Sequence, residues 1–146
     1  MNQATFVQTL QQTHVLLPPL TGYTDYPYRV VLASFHPGFL TTEMVHSSAV
    51  VRRNARTMLM LKRVEGPQAN GVQVLGRNPE EMVAAAKFIV SEGFDFLDVN
   101  MGCTSRKVTR RGEGVALMRD EEHAARLISA LVNAVDGKNI SYPSIL

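Results

Sequence analysis

The stretch Asp95 to Val108 reads DFLDVNMGCTSRKV and holds the only cysteine of the chain. An apolar run ends at Val99, Asn100 and Gly102 follow, and Cys103 stands just ahead of Arg106, Lys107, Arg110 and Arg111. A free thiol has a pKa of about 8.5 and is mostly protonated at neutral pH, so it can give a proton to a neighbouring group. Its plainer use is as a small buried hydrophobe. One cysteine excludes an internal disulfide and a thiolate zinc site, and it fits a reducing compartment. The basic residues beside it suit phosphate contact or simply a solvated face.

Three further stretches carry small, amide or reactive residues where apolar runs end: PPLTGYTD, TTEM and QVLGRNP. In parallel α/β folds reactive groups gather at the carboxyl ends of strands, where loops vary without disturbing the core. The four stretches therefore point to one shared site. On spacing alone, Gly22, Gly76 and Gly102 as turns and Gln73 and Asn100 as loop anchors serve equally well.

The elements that must position these residues alternate. His14 to Leu20 reads as a first strand, and Asp25 and Pro27 open a helix through Ser34, proline being harmless in a first turn. Phe39 to Glu43 is a second strand leading to a helix rich in Arg52, Arg53 and Arg56, and Glu65 to Gly71 reads as a loop before a third strand, Val72 to Leu75. Asn78 caps the clearest helix, with Pro79, Glu80 and Glu81 in its first turn and Gly93 as its stop. Phe94 to Val99 is a fourth strand, and a fourth helix runs from near Asp120 to Gly137. This β-α order implies a parallel sheet, either doubly wound or part of a (β/α)₈ barrel. A full barrel needs about 250 residues. With 146 residues, the expectation is about the first four β/α units, a half-barrel over residues 1–146 cut short near residue 137, with NISYPSIL beginning a fifth strand.

Composition adds exclusions. The chain is 45% hydrophobic and 19% charged with a formal charge of +2, ordinary for a globular domain. No run approaches the ~18 apolar residues of a membrane span and the N-terminus has no leader pattern, so the expectation is a cytoplasmic protein. His14, His36, His46 and His123 are scattered and read as surface or satisfied residues. Asp95 and Asp98 fall on opposite faces of a strand, which argues against a carboxylate pair. Gly112-Glu113-Gly114 fails as a dinucleotide fingerprint because it follows no strand directly and its third glycine position is Leu117.

The four stretches together resemble the N-terminal half of the tRNA-dihydrouridine synthases, flavin-dependent enzymes that reduce uridine in tRNA. PPLTGYTDYPYR is similar to the family's opening signature, TTEMV to its second-strand Thr-Glu-Met, VQVLGRNPEEM to its Gln-bearing third strand, and DFLDVNMGCTSRKVTRRGEGVALMRD to its Asn-Met-Gly-Cys motif with the loop that follows. The resemblance spans about residues 13 to 136. It implies a TIM-barrel fold, FMN as cofactor, NADPH or NADH as reductant, tRNA as partner, and neither metal nor membrane. By position, Cys103 matches the proton donor, and Pro19, Leu20, Thr21 and Gln73 match flavin contacts. Asn100 matches a substrate contact, while Arg106, Lys107, Arg110 and Arg111 match a loop that meets tRNA.

The chain departs from the pattern at Thr104, where the family has proline, and the family's later lysine, histidine and phosphate loops fall outside it. Lys138 takes none of those roles. Open barrel edges imply self-association. The alternatives weighed against this reading are another FMN-dependent pyrimidine oxidoreductase, of the dihydroorotate dehydrogenase kind, and a non-catalytic fragment that binds RNA or a partner.

Overall fold

The computed structural model describes residues 3–13, 15–135 and 139–141. Its elements are α1 (Gln3–Thr13), β1 (Leu16–Leu17), α2 (Tyr26–Ala33), β2 (Phe39–Thr41), β3 (Val45–His46), α3 (Ser47–Val51), α4 (Ala55–Met60), β4 (Ala69–Leu75), α5 (Pro79–Ser91), β5 (Phe96–Val99), α6 (Arg106–Thr109), a 3₁₀ helix (Gly114–Arg119), α7 (Glu121–Ala134) and β6 (Asn139–Ser141). The strands form one sheet in the order β1-β2-β4-β5-β6, with β3 also on β4, and every pair is parallel. Strands alternating with helices in this sequential order form part of a TIM barrel, the expected architecture.

Each expected strand is present, several with different bounds. Pairing in the first is confined to Leu16–Leu17 and in the fourth to Phe96–Val99. The second strand is interrupted: β2 and β3 pair with successive parts of β4 while Thr42, Glu43 and Met44 leave the ladder between them. The expected loop over Glu65 to Gly71 is corrected, since Ala69, Asn70 and Gly71 belong to β4. Gly71 looks like loop chemistry, but its register partner is Phe96, whose ring would lie 2.1 Å from an added Cβ. Glycine there makes room for the aromatic ring.

The arginine-rich helix is likewise two short helices. Arg52 caps α3, Arg53 stands at φ +52° in the joint, and Asn54 caps α4 through the Thr57 N–H. Helix α1 precedes the first strand and lies outside the expected β-α order. Helix α5 has the caps its sequence predicts, with Asn78 accepting from Glu81 N–H at 3.0 Å. Gly137 and Tyr142 to Leu146, the expected end of the fourth helix and the remainder of the fifth strand, lie outside the described residues, as do His14 and Lys138.

Alternation along the strands creates two faces. Val72, Val74, Leu97 and Val99 pack with Met82, Ala86, Ile89, Leu127 and Leu131 in the core between sheet and helices. Leu61 joins that core, and Met58 and Met60 pack against it. On the other face Phe39, Ala69 and Phe96 form a small cluster, with Phe39 and Phe96 edge to face at 5.5 Å. Gln73 and Asp98 are register partners on this second face, toward its carboxyl end.

Candidate active site

The cross-strand pair Gln73 and Asp98 begins a chain of side-chain hydrogen bonds that leads to the cysteine. Gln73 Nε2 donates to Asp98 Oδ2 at 2.6 Å, Asn100 Nδ2 donates to Gln73 Oε1 at 2.9 Å, and Asn100 Oδ1 accepts the Cys103 N–H at 3.1 Å. Gln73 is buried, whereas Asn100 and Cys103 are half-buried. The Asn100 N–H itself donates to Val74 O at 2.9 Å, which fixes the first residue beyond β5 onto β4.

From the other side, Val115 N–H donates to Cys103 O at 3.0 Å. Gly114, at φ +61°, turns the chain there, and an added Cβ would come within 2.6 Å of the same carbonyl. Both polar groups of the Cys103 backbone are thus held, one by Asn100 and one by the returning loop. Thr104 is exposed beside it. Gly102 has a different character. It is exposed, its φ is not positive, and an added Cβ would meet nothing within 4 Å. Neither strain nor close packing within the fold demands glycine at that point.

The first-strand residues lie in a tight turn. Leu20 O accepts Tyr23 N–H and Thr24 N–H, both at 3.0 Å, and Leu20 N–H donates to Thr24 Oγ1 at 3.0 Å. The polar backbone of Leu20 is therefore occupied, and its exposed side chain is what it presents. No such bond among the described residues takes the Thr21 N–H. Gly22 N–H donates to Glu43 Oε1, joining the first stretch to the Thr-Glu-Met stretch.

The rest of the opening motif is structural. Asp25 caps α2 by accepting from Tyr28 N–H, and Arg29, fully buried, donates to Thr24 O at 3.1 Å, Lys62 O at 2.8 Å and Met60 O at 3.0 Å. Burial lowers the guanidinium pKa, while Asp25, Tyr26 and Glu43 act the other way.

The basic residues divide. Arg106 and Lys107 lie on α6 and Arg110 and Arg111 just after it, all exposed. Arg52 donates to Ser48 Oγ at 2.9 Å and Arg53 stacks on the Phe88 ring, so these two have partners within the fold. Arg77 Nη2 donates to Asp120 Oδ2 at 2.9 Å and Nη1 approaches Gly112 O at 3.5 Å, bracing the loop from α7. The His123 N–H and then Arg77 hold the Asp120 carboxyl below its ordinary 3.8.

Asp95 and Asp98 have separate partners: Asp95 accepts from Asn70 N–H and Arg63, Asp98 from Gln73. His46 and His123 are both hydrogen-bonded, His46 to Glu113 at 2.9 Å and His123 to Arg77 O at 2.8 Å. The His46–Glu113 contact escaped the sequence reading because its members are 67 residues apart. Among the described residues no group of three metal-ligating side chains occurs, and no helix is long and apolar enough to cross a membrane.

The glutamine at the end of β4 is hydrogen-bonded to the asparagine of the Asn-Met-Gly-Cys stretch, and comparison with known proteins covers nearly the span of the four stretches. The family model described as "Dihydrouridine synthase (Dus)" matches residues 16–143. The chain belongs to the dihydrouridine synthase family.

Among this family's curated members, a tRNA-dihydrouridine synthase B of Yersinia pestis is 37% identical over 127 residues, covering 86% of this chain and 40% of the relative. A probable tRNA-dihydrouridine synthase of Rhizobium leguminosarum bv. phaseoli is 42% identical over 125 residues, covering 86% and 39%. One from Rhodobacter capsulatus is 40% identical over 124 residues, covering 84% and 38%. The chain therefore spans about two-fifths of the length of the relatives it matches.

Proposed function

We propose that this chain supplies the acid and the flavin-ring contacts for reduction of the C5–C6 bond of uridine in tRNA, in the cytoplasm, as the first half of a dihydrouridine synthase barrel. The observation that carries the reading is the hydrogen-bonded series Asp98, Gln73, Asn100, Cys103, which orients two amides and anchors the backbone of the cysteine at adjoining strand ends.

The site suits FMN on two counts. An amide group has two N–H donors and two acceptor lone pairs, so Gln73 retains one of each after its bonds to Asp98 and Asn100. That remainder matches the donor and acceptor edge of an isoalloxazine ring. The bare backbone of Gly102 and the open space beside it let a planar group approach next to Cys103. Thr21 N–H and the Pro19 carbonyl are the first-strand groups left to meet the ring edge, while Leu20 offers an apolar side chain against its plane.

Gln73 and the first-strand groups would hold FMN, which, reduced by NADPH or NADH, would supply a hydride to one carbon of the uracil double bond. Cys103 gives the proton to the other carbon: its S–H bond breaks, a C–H bond forms, and the resulting thiolate is reprotonated from solvent. Asn100, with its Oδ1 on Cys103 N–H and one Nδ2 hydrogen on Gln73, keeps one donor and one lone pair for the uracil edge. Arg106, Lys107, Arg110 and Arg111 meet tRNA phosphates near a uridine that has left its stack.

The test is dihydrouridine formation in tRNA by the complete barrel, measured by mass, for the parent and Cys103→Ala. The variant is expected to retain flavin and lose at least about a hundredfold in turnover, the usual range for a lost general acid. Undiminished turnover would remove Cys103 from the acid role.

A further inference from the structure

The loop that returns to Cys103 carries a carboxylate that the proposed reaction does not use. Glu113 is only 5% exposed, Oε1 lies 2.9 Å from His46 Nε2, and Oε2 has no hydrogen-bond partner. Taking a carboxylate out of water costs several kcal/mol unless a partner compensates. Its location is narrowly set, between Gly112 at φ +72° and Gly114 at φ +61°, one residue before the turn that packs on the Cys103 carbonyl.

The hydrogen bonds of His46 define its state. Ser48 N–H, which can only donate, lies 3.2 Å from His46 Nδ1, so Nδ1 accepts. Ser48 Oγ, itself receiving a hydrogen from Arg52, is 2.8 Å from the same nitrogen. The hydrogen of the neutral ring is therefore on Nε2 and points to Glu113. His46 also ends β3 as the register partner of Leu75, so the ring is held by the sheet on one side and by the α3 N-terminus on the other.

We propose that His46 and Glu113 form a clasp that positions the Cys103 loop, tying its returning limb to β3 so that Val115 N–H and Gly114 stay against the Cys103 carbonyl. Both are positioning residues. The clasp bears on catalysis only insofar as the proposed uridine reduction holds, but its effect on the loop is independent of that reading.

The chain has a single cysteine, so alkylation by iodoacetamide reports Cys103 alone. In His46→Ala and in Glu113→Ala, alkylation is expected to accelerate several-fold and Val115 amide exchange at least tenfold, with amides of β4 unchanged. Glu113→Gln, which keeps an acceptor for His46 Nε2, is expected to stay within twofold of the parent. The double variant His46→Leu/Glu113→Leu removes the buried charge and secures a folded sample; it should share the loosened loop of the alanine variants. Parent-like alkylation and exchange in the alanine variants would overturn the clasp, and so would equal acceleration of Val115 and β4 amides, which marks a general stabiliser. In the complete barrel His46→Ala is expected to lower kcat with little change in KM. A loosened loop in a protein that makes no dihydrouridine would sink the function and leave the clasp standing.

Discussion

Asn100 Nδ2 gives its hydrogen to Gln73 Oε1 across 2.9 Å, so the amide expected to face the cofactor and the amide expected to face the substrate orient each other. Asp98 fixes which way Gln73 lies, because a carboxylate accepts only from the NH₂ side of the amide. Asn100 in turn directs its oxygen to the Cys103 backbone. Loop anchoring and chemistry, alternatives in the sequence, become compatible, since each amide retains part of its bonding capacity.

Asn100→Ala leaves Gln73 Oε1 and Cys103 N–H without their partner. Each unmade hydrogen bond in a buried setting costs about 1–3 kcal/mol. Gln73 is buried and Cys103 half-buried, so the expected loss is about 2–3 kcal/mol, read as a lower urea midpoint with unchanged slope. Asn100→Asp keeps the acceptor for Cys103 N–H but puts a carboxylate against Gln73 Oε1, and it is expected to be no better than alanine. An aspartate variant as stable as the parent would count against the relay.

Replacing Arg106, Lys107, Arg110 and Arg111 together by alanine is expected to weaken tRNA binding and flatten its dependence on salt. All four are exposed and follow Cys103 within one segment. With about 0.7 of a counterion released per phosphate contact, the slope should fall by up to about 3. Filter binding over a salt series measures it. An unchanged slope would leave the segment as a solvated face.

Arg29→Met is expected to be among the most damaging single substitutions. The guanidinium satisfies carbonyls of Thr24, Met60 and Lys62 from a fully buried position, and methionine satisfies none. At about 1–3 kcal/mol for each buried acceptor left alone, the loss is at least about 3 kcal/mol. Arg29→Lys should recover only part, because an ammonium cannot span three acceptors as a planar fork does. Equilibrium unfolding in urea ranks the three proteins, and a lysine variant equal to the parent would contradict the fork argument.

The amino-acid sequence by itself determined the β/α order, the caps of α5 and the clustering of chemistry at strand ends. These rest on signals within a few residues: apolar runs, Asn78 before Pro79, Gly93 after the last turn, and Cys103 just beyond an apolar strand. Each is decided by local backbone preference or by the burial of one face, so it is legible without knowing the neighbours.

What only tertiary structure decided depends on residues that meet across strands. Gly71 reads as a loop residue until Phe96 takes the space of its missing side chain. Arg29 carries no local sign of its role until the carbonyls of nearby Thr24 and of distant Met60 and Lys62 converge on it. His46 and Glu113 carry no shared pattern along the chain, and only packing of the Cys103 loop against β3 makes them partners. The physical reason is common to all three: a buried polar group or a bare backbone is explained by what fills the space beside it, and that neighbour is supplied by the fold.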